Sequence, residues 1–175
     1  MTATVASISV FAGEDCACIR IAGRASFTLG VELKTLLQEL QAHDCAYFVL
    51  DLSECVLMDS TILGILTGFG LKQQQRLGEE RPSVVELRNA NERVAELIEN
   101  LGVMSLFKIT NGPLCPPEKL KELAHQTPQP TREETTRTCL EAHETLVAAN
   151  PENAAKFKDV TRFLAEDLKR MKKPN

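Results

Sequence analysis

Apolar positions along the first half of the chain change period several times, and each change marks an element. Ile8 and Val10, then Cys16, Cys18, Ile19 and Ile21, form two alternating runs on either side of Gly13-Glu14-Asp15, the pattern of an antiparallel hairpin. Leu29, Val31, Leu33, Leu36, Leu37 and Leu40 recur at three- and four-residue spacing, which predicts an amphipathic helix from about Thr28 to Ala42. Ala46-Tyr-Phe-Val-Leu-Asp-Leu52 is a short, nearly continuous apolar run, expected of a strand covered on both faces. A helix is predicted from Ser60 to about Arg76, ending near Gly78, and a strand over Ser83 to Leu87. A further helix spans Glu92 to Leu101, closed by Gly102, and a last strand covers Ser105 to Ile109. The order ββαβαβαβ implies an α/β fold, a mixed sheet with right-handed crossovers and helices packed on it.

Composition shifts at Asn111-Gly-Pro-Leu-Cys-Pro-Pro117, where a boundary between 1–111 and 112–175 is expected. The first part carries nine basic and fourteen acidic residues, the second eleven and ten, so the acidity belongs to the first. Three helical segments are predicted after the joint: about Pro117 to His125, Arg132 to Ala149, and Pro151 to Met171. Thr131 and Glu134 have the spacing of a capping box, and Asn150-Pro151 reads as an N-cap followed by proline at the first helical position. Phe157, Val160, Leu164, Leu168 and Met171 form one apolar stripe; Cys139, His143, Leu146 and Val147 form another. The last two helices are therefore expected to pair as a hairpin, seated on the sheet domain or on a second copy as a homodimer.

With 175 residues, 43% hydrophobic and 25% charged, the chain suits one domain with an appended element. A net charge of −4 and a pI near 5.5 leave no electrostatic footprint for nucleic acid or an anionic membrane. The N-terminus lacks the pattern of a signal peptide, and the longest apolar stretch, Ile62 to Leu71, is interrupted by three glycines and far too short to span a bilayer, so a cytoplasmic setting is expected. The six cysteines have no C-x-x-C spacing and read as reduced thiols, with no metal and no cofactor. Phosphate-binding, dinucleotide, zinc-protease and G-x-S-x-G motifs are all absent, so the sequence does not point to an enzyme. No local motif pairs His43, His125 or His143 with a nucleophile or ligand, and each is expected to be structural or solvated.

Folding alone leaves the segment from Leu50 to Gly64 least explained. A buried strand delivers a loop that ends in Met58-Asp59-Ser60-Thr61 at a helix N-terminus, where unpaired N–H groups and the helix dipole favour oxygen acceptors. Asp59 or Ser60 can cap that turn. Phosphorylation at the same place is also physically plausible: a phosphate there would be drawn to the helix end, repelled by Asp59, and would change the surface by nearly two charges. On the residues alone, both readings stay open.

These residues resemble a known family. Phe48-Val-Leu-Asp-Leu52 followed by Met58-Asp59-Ser60-Thr61-x-Leu63-Gly64, with the late Asn100-Leu-Gly-Val-Met-Ser-Leu-Phe107, is similar to the STAS domain of bacterial anti-sigma factor antagonists and of sulfate-transporter tails. The resemblance covers about residues 4–110. It implies phosphorylation of Ser60, with Thr61 the secondary acceptor, by a serine kinase that is also the anti-sigma factor, and reversal by a PP2C-type phosphatase. It also implies a partner-binding surface built on Asp59, Ser60, Thr61, Ile62, Leu63 and Gly64. Two departures stand out: Ile62 replaces a glycine common in antagonists, and Gly23-Arg24-Ala25-Ser26 lacks the usual nearby acidic residue. Because some domains of the family bind nucleotides, a nucleotide- or anion-sensing scaffold without a phospho-switch is the alternative. The expected function is a phosphorylation-switched binding regulator rather than an enzyme.

Overall fold

The hairpin pattern is realised as β1 (Ser7–Ala12) and β2 (Cys16–Ala25), paired antiparallel around a turn in which Gly13 N–H donates to Cys16 C=O at 2.9 Å. The computed structural model describes residues 5–43, 45–77, 84–113, 120–127 and 129–173. A short 3-10 turn (Phe27–Leu29) leads into α1 (Gly30–Ala42). Then come β3 (Tyr47–Asp51), β4 (Cys55–Met58), α2 (Ser60–Leu77), β5 (Val84–Arg88), α3 (Glu92–Asn100) and β6 (Lys108–Thr110). Last are β7 (Lys121–Leu123), α4 (Arg132–Ala149) and α5 (Asn153–Met171). The sheet runs β6-β5-β3-β2-β1-β7, with β4 paired to β2 off this path. Pairs β2/β3, β3/β5 and β5/β6 are parallel and β1/β2 and β1/β7 antiparallel, so the sheet is mixed as expected.

One face of the sheet, with Ile8, Val10, Ile19, Ile21, Phe48, Leu50 and Leu87, meets α1 and α2 in the core. Phe48 and Phe69 lie edge to face with ring centroids 4.7 Å apart, joining β3 to α2. The opposite face is polar. Arg20 donates to Asp51 at 2.9 Å across β2/β3, Arg88 pairs with buried Glu86 at 2.6 Å, and Tyr47 and Thr110 also donate to Glu86. The β3 run is therefore not covered by apolar layers on both faces. Phe48 and Leu50 enter the core, while Tyr47 and Val49 are half-buried and Asp51 is held by an ion pair. A period read over five residues cannot distinguish a second apolar layer from a polar network that hides its own strand.

Three other expectations need correction. The helix predicted over Pro117 to His125 is not formed in its described part, where Lys121–Leu123 is strand β7 on the outer edge of β1. A helix that short is marginal alone, whereas the unpaired edge of β1 supplies hydrogen-bond partners at once. The final strand starts later than expected because Met104–Leu106 closes into a 3-10 turn before β6. Asn150 is the C-cap of α4, and α5 begins at Asn153, although the Asn150 side chain does accept from Glu152 N–H at 3.3 Å. Strand β4 was not foreseen; four residues are too few to show a period. The capping box at Thr131 and Glu134 forms as predicted. Cys16, Cys18, Cys55 and Cys139 are free thiols, while Cys115 and Gly78 lie outside the described residues.

The hairpin of α4 and α5 seats on α2. A Cβ on Gly64 would lie 2.4 Å from the Ala142 carbonyl oxygen, and one on Gly68 would lie 3.4 Å from Thr145 Cγ2. The turn between α4 and α5 is anchored separately, with Asn153 Nδ2 donating to Leu101 C=O and Leu146 C=O at 3.0 Å each. The outer side of α5 exposes Val160 and Phe163, with the Arg162 guanidinium 5.0 Å from the Phe163 ring centre.

Gly64→Ala should lower stability by roughly 1–3 kcal/mol, because the added methyl meets backbone that cannot yield. Gly70→Ala should instead raise it by up to about 1 kcal/mol through helix propensity, since its Cβ would find only ordinary contacts at 3.7 Å and beyond. Urea unfolding midpoints of the two variants check the opposite signs. Asp51 gives a pH prediction. Burial pushes its carboxyl up, but the Arg20 guanidinium and Ser53 outweigh this and hold it below its ordinary value of 3.8. That contribution to stability is present above the unfolded value and is lost as pH falls through the lower folded value. Asp51→Asn should therefore flatten the acid limb of the stability curve below about pH 4, measured by urea unfolding at stepped pH.

Candidate functional site

The loop that ends in Asp59-Ser60 is placed by a change of partner in β2. Through Cys16–Arg20 this strand pairs with β3; beyond Gly23, at φ 75°, it pairs with β4 instead, and the ladder is irregular at Gly23/Arg24. Few side chains tolerate that positive φ, so glycine is what lets the strand turn from one neighbour to the other. Ala25, at the end of the diverted strand, accepts Asp59 N–H at 2.9 Å and so fixes where α2 begins.

Asp59 is the N-cap. Its Oδ1 accepts Ile62 N–H at 3.0 Å, while its Oδ2 accepts Phe27 N–H at 2.7 Å and ties the turn before α1 to the start of α2. The carboxylate thus takes the position that an external anion would occupy at this helix end.

Ser60, the first residue of α2, is half-buried, and its Oγ lies 2.8 Å from His143 Nε2 on α4. His143 Nδ1 lies 2.6 Å from the Cys139 carbonyl oxygen, one turn earlier. A carbonyl can only accept, so Nδ1 donates to it, and in that tautomer Nε2 accepts from the Ser60 hydroxyl. The ring is 5% exposed and packs edge to face on Phe157 of α5, with centroids 4.8 Å apart. Serine beside histidine has the form of a nucleophile and a base. The third member here is a backbone carbonyl, which lacks the charge with which a carboxylate stabilises an imidazolium.

No protein-family model matches the sequence, and no curated protein matches it either. Solved structures do match. An anti-sigma factor antagonist from Mycobacterium paratuberculosis superposes with a TM-score of 0.50 at 16% identity, covering 61% of this chain and 86% of that one. The chain has a STAS fold. The Bacillus cell-fate determinant SpoIIAA, in its phosphorylated form, gives a TM-score of 0.49 at 10% identity, covering 61% and 92% of the two chains.

Within the STAS fold the six residues of the expected partner surface separate. Asp59 and Ser60 reach solvent. Thr61 is 4% exposed, Ile62 and Leu63 are fully buried in the core, and Gly64 lies under α4. Phe27, bonded to Asp59, and Val56 on β4 are both about half exposed and add apolar surface that the motif did not indicate. His143 is the residue that sequence reasoning missed. It stands 83 positions from Ser60, and its place on an apolar helical face was the only trace of its role. His125 is structural as expected, its Nε2 2.7 Å from Glu32 Oε1 on α1. Cys139, beside His143, has its thiol pushed up by burial and by the Asp59 charge, against a hydrogen bond with Thr61. No cluster of His, Cys, Asp or Glu among the described residues could hold a metal ion, and no described helix is long and apolar enough to cross a membrane.

Asp59→Ala removes the acceptor for two N–H groups and should cost about 1–2 kcal/mol, read as a lower urea midpoint.

Proposed function

We propose that this chain is a protein-binding regulator of the anti-sigma factor antagonist kind, switched by phosphorylation of Ser60. The carrying observation is the placement of one hydroxyl: Ser60 opens α2 at the surface beside the Asp59 carboxylate, whereas the neighbouring Thr61 is buried. In the unmodified state Asp59 and Ser60, with Phe27 and Val56, offer a partner a polar centre and apolar flanks. A phosphate adds nearly two negative charges next to Asp59, so a surface that fits the unmodified protein meets repulsion and a desolvation cost. The partner this implies is an anti-sigma factor that is also a serine kinase, with a PP2C-type phosphatase resetting Ser60 in the cytoplasm. The Asp59 carboxylate already seated at the helix end speaks against the anion-sensing alternative.

Phosphopeptide mapping of the protein from its own cells, under growth and under stress, should find condition-dependent phosphate on Ser60 and none on Thr61. Partner capture should be retained in Ser60→Ala and weakened at least about tenfold in Ser60→Asp. Equal capture by all forms would overturn the switch, and turnover by the pure protein that vanishes in Ser60→Ala would replace it with an enzyme.

A further inference from the structure

Three features of the hairpin point to one conclusion. Its helix α4 crosses α2 so closely that the Gly64 backbone faces the Ala142 carbonyl with no room for a methyl group. The one hydrogen bond between α4 and the first residue of α2 is made by the Ser60 hydroxyl itself. The turn at the far end of α4 is held by an independent anchor, Asn153 on Leu101. The hairpin therefore has one end anchored on Leu101 and, apart from it, a contact with α2 made by the Ser60 hydroxyl.

We propose that the α4–α5 hairpin is an intramolecular reader of Ser60: it is latched over α2 by His143 while Ser60 is unmodified and is lifted when Ser60 is phosphorylated. The proposal rests on Ser60 being the phosphate acceptor and adds how the modification is transmitted. A phosphorylated Oγ has no proton to donate. The hydrogen bond that the Ser60 hydroxyl gives to His143 Nε2 is therefore lost on modification. A phosphate on Oγ in its present orientation would also need the space of a 2.8 Å contact. Behind the ring lie Phe157 and the α4 backbone, so His143 cannot withdraw unless α4 moves. On the other side Asp59 repels the new charge. The switch is then conformational as well as electrostatic: the surface that a partner meets around Ser60 loses its shape along with its neutrality. His143 acts as a positioning residue, holding the Ser60 hydroxyl and coupling it to α4.

Cys139 provides a native reporter. It is buried on α4 one turn before His143, whereas Cys18 and Cys55 are buried on β2 and β4. Alkylation requires an accessible thiolate, so the rate at each site reports its opening. The full chain would be prepared with phosphoserine placed at position 60, alongside Ser60→Asp and the unmodified protein. Each would be treated with iodoacetamide and read peptide by peptide in a mass spectrometer. Phosphoserine should speed Cys139 labelling roughly tenfold or more while Cys18 and Cys55 stay at their unmodified rates. Ser60→Asp should shift Cys139 the same way. An unchanged or slower Cys139 would mean that the phosphate swings outward and leaves α4 in place, which overturns the proposal. All three thiols rising together would mean that the fold loosens as one body, which overturns it equally. Because phosphate is installed directly, this result does not depend on whether cells phosphorylate Ser60, which the phosphopeptide map decides separately.

Discussion

Helix α2 is enclosed on every side over residues 61–70, polar Thr61 and Thr67 included, and a helix buried in this way needs cover from more than one direction. No position from Thr61 to Gly70 is exposed. Leu63, Leu66 and Phe69 belong to the core between helix and sheet, while the Gly64 and Gly68 side has no bulk of its own and needs another surface pressed against it. The sheet can cover one side only. Helix α4 supplies the other, and its arrival brings His143 to Ser60. The chemistry of the candidate site is thus a by-product of how a two-sided helix is buried.

The same enclosure explains why the site is small. Without the hairpin the α2 flank would be open. Here that flank is filled, and what remains outside is the rim formed by Asp59, Ser60, Phe27 and Val56. Ser60 belongs to this rim and also touches His143 of α4, so it stands on the boundary between the rim and the hairpin. The polar face of the sheet plays no part in this. Its Arg20–Asp51 and Arg88–Glu86 pairs brace β2, β3 and β5, and so hold the strand that delivers the loop.

Much of the fold was legible in the chain because periodicity is a local property. The hairpin of β1 and β2, the helices α1 to α4 and the capping box at Thr131 follow from spacing within short windows. Strand β4 and the placement of β7 were not legible. They are three or four residues long and exist only because a neighbouring strand edge offers hydrogen bonds, which is information held elsewhere in the sequence. Asp59 and Ser60 were legible as a helix start for the same local reason that governs caps. Which of the six motif residues would be accessible was not.

The sequence by itself determined the β1–β2 hairpin, the helices and the position of a hydroxyl at a helix N-terminus, because each depends on residues a few positions apart. Tertiary structure decided the rest. That β2 would change partners at Gly23, that α4 would lie across Gly64, and that His143 would accept the hydrogen bond of a serine 83 positions earlier all depend on distant segments closing on one another. Such closure is set by which surfaces can be buried together, a property of the folded whole that no window of sequence contains.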